Sequence, residues 1–195
     1  MSLLFLYSTA IALTLLQAAT APPQGLDPKT ERDAFSVYAT LFQPTALQPD
    51  RLKYEGLTEP ILLQAETDTP TSCEALLAGM SGEWAEVASN FRRENTRARL
   101  LRAGLPLGVK YRLVSRKEIL TQDARVVAKH PVSGNAPRPG SIRYIALSAV
   151  GFNAARTKAL VYARFRTLHY SNELLMKELK DGKWVTGPRA CGGGT

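Results

Sequence analysis

Five basic side chains near the C-terminus come closest to a binding site in their types and spacing. They lie on or beside two consecutive predicted strands, at Arg164, Arg166, His169, Lys177 and Lys180. Arg164 and Arg166 are two positions apart, so a strand places both side chains on one face of a sheet. Guanidinium and ammonium groups attract carboxylates, phosphates and other anions. This spacing predicts a basic sheet face that binds an anionic ligand through charge.

A denser basic run occurs earlier in the chain. Its five arginines are Arg92, Arg93, Arg97, Arg99 and Arg102. Such a run can bind a phosphate backbone, but nucleic-acid-binding proteins usually interleave aromatic residues or carry a known motif, and neither occurs here. Cations are also favoured near helix C-termini. We therefore expect a solvated helix-end face rather than a nucleic-acid site, with a phosphate-binding patch as the alternative.

Catalytic and metal chemistry has no recognisable pattern in this sequence. The two histidines are His130, in a loop flanked by proline, and His169, near a predicted strand end. A zinc site would need further ligands at regular spacing, and the zincin, nucleophile-elbow, dinucleotide and P-loop motifs do not occur. We expect no metal and no cofactor, and a protein that binds rather than catalyses.

An enzyme is the alternative, because carboxylate pairs for acid–base work can come from distant positions of a chain. That alternative is a secreted hydrolase-like or inhibitor-like activity in a pocket between the helices and the sheet. A concave polar pocket would favour it, and a filled apolar interface would count against it.

The first 21 residues carry no charged side chain and include an apolar stretch from Leu3 to Leu16. Small residues at Ala19 and Ala21 then fit the −3 and −1 positions of a signal peptidase site. The pattern predicts a secretory signal and a periplasmic or secreted protein. A noncleaved membrane anchor is an alternative, because Lys and Arg are missing before the apolar stretch and prolines follow the cleavage site; a buried structural helix is another.

The rest of the chain fits one ordinary domain. Residues 22–26 read as a linker and residues 27–195 as a single domain. Cys73 and Cys191 are the two cysteines, and in an oxidising compartment they most simply form one disulfide. Two free thiols, or a nucleophilic cysteine, are the competing interpretations.

The formal net charge of +8 is unevenly distributed along the chain. Residues 1–94 hold 6 Lys/Arg against 12 Asp/Glu, a net charge of −6, whereas residues 95–195 hold 19 against 5, a net charge of +14. A basic half of this kind attracts an anionic polymer, lipid headgroups or an acidic protein. The competing interpretation is a solvated face whose charge offsets the acidic half.

Helices are predicted mainly in the first half of the chain. Asp27-Pro28 is a helix-start signal, and apolar residues at three- and four-residue spacing extend that helix to Phe42. A short helix over 73–80 and a clearer one over 81–95 follow, with short strands at 61–65 and 110–115. Residues 116–141 read as a long polar connection.

The last third predicts an antiparallel meander. Alternating apolar and polar residues predict four strands, at residues 142–150, 158–166, 174–180 and 183–186. Asp181-Gly182 is a strong hairpin-turn signal, and Gly151-Phe152-Asn153 reads as a turn in which Gly and Asn tolerate a left-handed backbone. The whole predicts an α+β domain in which the helices cover one apolar sheet face and leave a basic face.

Three motifs in this meander are characteristic of one group of proteins. They are Leu147–Asn153 (LSAVGFN), Ala159–Tyr162 (ALVY) and Lys177–Trp184 (KELKDGKW). In this pattern the chain resembles a group of uncharacterised bacterial secreted proteins that end in S-x-V-G-F-N, A-L-V-Y and G-K-W hairpins. The resemblance implies secretion and a C-terminal hairpin series, and it implies no activity.

Overall fold

A seven-stranded mixed sheet lies at the centre of the protein in the computed structural model. The structure describes residues 24–25, 28–43, 60–70, 72–129, 142–166 and 170–194. The predicted leader, His130, the remaining residues 131–141 of the predicted connection, and His169 lie outside these residues. Within the predicted linker, Gln24–Gly25 forms a two-residue strand that pairs with Arg99–Leu100.

The elements of the described residues follow the predicted order, with one added helix (116–129) and three added two-residue strands (24–25, 99–100 and 151–152). The helices of the described residues are α1 (Pro28–Phe42), α2 (Glu74–Gly79), α3 (Glu83–Glu94) and α4 (Arg116–Lys129). The strands are β1 (Gln24–Gly25), β2 (Ile61–Gln64), β3 (Arg99–Leu100), β4 (Tyr111–Val114), β5 (Tyr144–Leu147), β6 (Gly151–Phe152), β7 (Lys158–Arg166), β8 (Ser171–Lys180) and β9 (Lys183–Gly194).

The sheet joins a parallel part to an antiparallel part. Its order is β4-β2-β5-β7-β8-β9, and β6 also pairs with β7. Strands β2, β4 and β5 run parallel, whereas β5, β7, β8 and β9 are successively antiparallel. The α+β class and the C-terminal meander are confirmed, and two parallel strands from earlier in the chain, β2 and β4, extend the meander.

Helix α1 packs on one face of the sheet. Alternate residues of β7 face it, because successive side chains of a strand point to opposite sides. They share a buried apolar cluster with α1, β2 and β5 that includes Ala159, Val161, Ala163 and Phe165. The stripe predicted for α1 is confirmed, since its Tyr38 is fully buried and donates a hydrogen bond to the Ser148 carbonyl at 2.8 Å.

The opposite face is also covered by helices. Leu160 and Tyr162 of β7 pack there with α2 and α3, and Tyr144 of β5 packs with Ile119 of α4. The predicted cover of one face by N-terminal helices is confirmed, but the expectation that the other face is left basic is wrong. Strand β7 is buried on both faces along most of its length, and its basic residues on the second face lie at its two ends, at Lys158 and at Arg164 and Arg166.

Helix α4 lies where a polar connection was predicted, and that prediction is wrong for residues 116–129. Ser115 precedes the helix, and its hydroxyl accepts a hydrogen bond from the Glu118 backbone N–H at 3.1 Å. Serine followed three residues later by glutamate is a capping-box signature. The helix buries only a narrow stripe, which includes Ile119 and Val126, so its apolar periodicity is weak in the sequence.

The predicted disulfide is present between Cys73 and Cys191, whose Cα atoms lie 5.9 Å apart. It joins the residue before α2 to β9 across a sequence separation of 118. In the described part of the chain, the helices are too short or too polar to cross a membrane.

Candidate anion-binding site

Two arginines and two aspartates meet on the second face of the sheet, between α2 and α4. Arg164 and Arg166 project from the end of β7, as their spacing predicts. An Arg164 Nη2 lies 3.1 Å from Asp68 Oδ1, in the segment after β2. An Arg166 Nη2 lies 3.1 Å from Asp123 Oδ2, on α4. We name these four residues the arginine pair and its carboxylates.

Both arginines are partly open to solvent, whereas the carboxylates are more deeply buried. The Arg164 and Arg166 side chains are 26% and 38% exposed, against 9% for Asp68 and 16% for Asp123. Burial lowers the pKa of Arg164, but the Asp68 carboxylate and the neighbouring tyrosines together raise it by more, so the pKa is raised overall. Because a guanidinium has five N–H donors, one carboxylate contact leaves each arginine with further hydrogen-bonding capacity.

Two buried tyrosines lie beside the arginine pair on the same face of the sheet. Tyr144 lies directly opposite Arg166 on β5, and Tyr162 precedes Arg164 by two positions on the same face of β7. The Ser72 hydroxyl donates a hydrogen bond to the Tyr162 oxygen at 3.1 Å. Burial raises the pKa of the Tyr162 phenol, so this phenol stays neutral at physiological pH and presents an amphipathic ring.

Buried polar atoms without hydrogen-bond partners are concentrated at this end of the sheet. Within the described residues, those beside the arginine pair are Arg164 Nε, Asp123 Oδ1 and Asn172 Oδ1. Buried polar atoms in folded proteins usually have a partner, so such a concentration marks a place where a ligand or ordered water completes the bonding.

Asn172 extends the site across the sheet. It lies directly opposite Arg164 in the β7–β8 ladder and opposite Gly193 in the β8–β9 ladder. Residues directly opposite each other in a ladder project to the same face, and glycine has no side chain. The β9 position beside Asn172 therefore carries no side chain.

The structure does not bring the two lysines of the predicted site to this place. Lys177 is 1% exposed, and its Nζ donates to Thr186 Oγ1 at 2.6 Å. It lies opposite Ala159, on the face that α1 covers. Lys177 therefore belongs to the buried interior and is not accessible to a ligand at the arginine pair.

Lys180 is exposed but distant from the arginine pair. Its Nζ lies 3.1 Å from Glu178 Oε2, at the turn between β8 and β9. Eight positions of β8 separate it from Asn172, a distance of roughly 27 Å at about 3.4 Å per residue. Of the predicted site residues, the structure gathers Arg164 and Arg166, and His169 lies outside the described residues.

The residues that sequence reasoning missed are the partners from other elements. Asp68 and Asp123 are separated from the arginines by long stretches of chain, and Asp123 belongs to the helix that was not predicted. Of these residues, Asn172 alone could have been placed from the sequence, because a hairpin between β7 and β8 would bring it near the arginines. A regular spacing could not have revealed the carboxylates.

The earlier basic run is largely engaged with carboxylates. Arg92 pairs with Glu74 at 2.7 Å, and Arg99 pairs with Glu94 at 2.6 Å. Arg102 Nε lies 3.2 Å from a carboxylate oxygen of the buried Glu31. These contacts join α2 to α3, and they join α1 and α3 to the segment around β3.

The chemistry of the site is recognition by charge and hydrogen bonds. Among the residues that the structure describes, His, Cys, Asp and Glu form no group of three that could hold a metal ion. Comparison of the chain with protein-family models, curated proteins and solved structures found no match. The resemblance to bacterial secreted proteins therefore stays a prediction.

Proposed function

We propose that this protein is an extracytoplasmic, non-catalytic binding domain that holds an anionic ligand at the arginine pair. One observation carries the proposal: two partly exposed guanidinium groups lie on one face of the sheet beside the neutral Tyr162 phenol, and Arg164 Nε is buried without a partner among the described residues. Guanidinium groups bind carboxylates and phosphates with directional, charge-assisted hydrogen bonds.

The extracytoplasmic part of the proposal is supported by two features. The sequence of the leader has the layout of a secretory signal, and the Cys73–Cys191 disulfide is of a kind that persists in oxidising compartments. A ligand met outside the cytoplasm would encounter the basic C-terminal half of the chain, whose charge accelerates the approach of anions.

The alternative of an enzymatic or inhibitory pocket between the helices and the sheet has less support. The interface between α1 and the sheet is filled by apolar side chains, including Val37, Leu41, Ile145 and Leu147. A filled apolar interface offers no polar groups to a substrate. The described residues favour binding at the opposite face.

Isothermal titration calorimetry with small anions at low salt tests the proposal. We expect the double variant Arg164→Gln, Arg166→Gln to bind at least about tenfold more weakly than the wild type, because both charge-assisted contacts are lost. The control Lys180→Gln, Lys183→Gln removes the same charge at the exposed β8–β9 turn and should change affinity less than about twofold.

Two results would overturn the proposal. One is an absence of binding at low salt to carboxylates, phosphate and sulfate alike. The other is an equal loss of affinity in the arginine and lysine double variants, which would show a general effect of net charge. Because Arg164→Gln leaves Asp68 buried without its cation, the more exposed Arg166→Gln serves as a second variant, and thermal melts establish that each variant is folded.

A further inference from the structure

We infer that the ligand of this site is a small organic anion that carries hydrogen-bond donors beside its acid group, as a sugar acid or an amino acid does. This inference rests on the proposed function, because it concerns the same arginine pair. It is based on two hydrogen-bond acceptors of the site, Asn172 Oδ1 and Asp123 Oδ1, because a simple anion has no donor to pair with them.

The site presents donors and acceptors side by side. Arg164 Nε is a donor, whereas Asn172 Oδ1 and Asp123 Oδ1 are acceptors, and all three atoms are buried without a partner among the described residues. Arg164 and Asn172 lie directly opposite each other in the β7–β8 ladder. Side chains at such positions start about 5 Å apart, so a ligand of a few atoms can contact both.

A simple anion satisfies only half of this arrangement. Sulfate or acetate accepts hydrogen bonds from the arginines but has no donor for Asn172 Oδ1 or Asp123 Oδ1. It would also place its negative charge near the Asp123 carboxylate, whose other oxygen already contacts Arg166 at 3.1 Å. Leaving buried acceptors unpaired is costly, so donor-free anions should bind weakly.

A hydroxyl or ammonium group next to the acid completes the bonding. The acid group meets the guanidinium donors, and the adjacent O–H or N–H groups meet Asn172 and Asp123. Sugar acids and amino acids share this chemistry.

Matched probe pairs test the inference by calorimetry on the wild-type protein. Glucuronate is compared with cyclohexanecarboxylate, which has a six-membered ring and acid group but no hydroxyls, and alanine is compared with propionate. We expect at least one donor-bearing probe to bind about tenfold more tightly than its donor-free match. The pair that shows the difference identifies the ligand as a sugar acid or an amino acid.

The variant Asn172→Leu removes one acceptor at similar size. In the probe pair with the larger difference, we expect Asn172→Leu to reduce the ratio of the two affinities below about threefold. The affinity for the donor-free probe of that pair should stay unchanged. If donor-free and donor-bearing probes bind the wild type equally well, the inference is wrong and the proposed function stands. If all four probes and the inorganic anions fail to bind, the proposed function itself is wrong.

Discussion

Tyr38 shows how one polar atom is accommodated in the core of this protein. Its ring is fully buried in the α1 stripe, and its hydroxyl donates to the Ser148 carbonyl. Burial raises the pKa of the phenol above its ordinary value of 10.0, the nearby Arg99 lowers it, and Glu31 raises it further. The sequence predicted the buried stripe, but the hydrogen-bond partner lies 110 residues away and was not predictable.

Because the pKa of Tyr38 is raised, we expect the free energy of unfolding to fall at alkaline pH. The pKa in the folded state exceeds that in the unfolded state, so its contribution to stability is present below pH 10 and is lost as the pH rises towards the folded-state value. We expect Tyr38→Phe to lower the free energy of unfolding by about 1 kcal/mol at neutral pH through the lost hydrogen bond. The same variant should reduce the loss of stability above pH 10.

Urea titrations at pH 8 and at alkaline pH measure both effects. Wild type and Tyr38→Phe should differ most at pH 8 and converge as the pH rises. Parallel stability curves over the alkaline range would contradict this account of the buried phenol.

At the scale of elements, a glycine sets how closely α3 approaches the sheet. A Cβ on Gly151 would lie 2.4 Å from the Phe91 Cα atom, and Gly151–Phe152 forms a strand paired with β7. The predicted left-handed turn at Gly151-Phe152-Asn153 is therefore wrong. The positive φ in this segment falls on Arg156, at 54°, while Asn153 Oδ1 accepts hydrogen bonds from the N–H groups of Thr157 and Lys158.

Gly151→Ala should be destabilising because the contacted atoms belong to a helix backbone that cannot move aside. We expect a loss of about 1–3 kcal/mol in the free energy of unfolding, the range of overpacked core positions. Gly79→Ala is the matched control: nothing lies within 4 Å of a Cβ at that position in α2, and alanine favours helix over glycine. Equal unfolding midpoints in urea for the two variants would contradict the close-approach argument.

At the scale of the whole molecule, the two oppositely charged halves of the chain fold against each other. Among the described residues, five ion pairs join an acidic residue of the first half to a basic residue of the second: Glu31–Arg102, Asp33–Arg156, Asp68–Arg164, Glu83–Lys158 and Glu94–Arg99. Exposed pairs contribute little each, but together they orient α1, α3 and β2 on the sheet. Much of the basic charge is thus used internally, and both residues of the arginine pair contact carboxylates while their side chains stay partly exposed.

The disulfide should hold the C-terminal strand to the rest of the molecule. Its 118-residue separation closes a long loop of the unfolded chain, so reduction should cost about 2–5 kcal/mol. We expect dithiothreitol to lower the unfolding midpoint of the wild type and to leave a Cys73→Ser, Cys191→Ser variant unchanged. A midpoint unaffected by reductant, with two thiols titratable in the untreated unfolded protein, would show that the bond does not form.

The sequence by itself determined the local elements and the cysteine pair. Apolar periodicity and turn residues act over a few positions, so α1, α3 and the β7–β8–β9 hairpins were predictable. Two cysteines allow a single pairing, and the spacing of Arg164 and Arg166 fixed their common face. Helix α4 was missed because its buried stripe is narrow, although Ser115 and Glu118 carried a capping signal.

Only the tertiary structure decided what surrounds the arginines. Strand order and helix placement depend on contacts between segments that are distant in the sequence. This arrangement brings Asp68, Asp123 and Asn172 to the arginine pair. It also decided that Lys177 is buried and that both sheet faces are covered. Charge and spacing in the chain indicated an anion, and the unpartnered acceptors beside the arginines indicate the kind of anion.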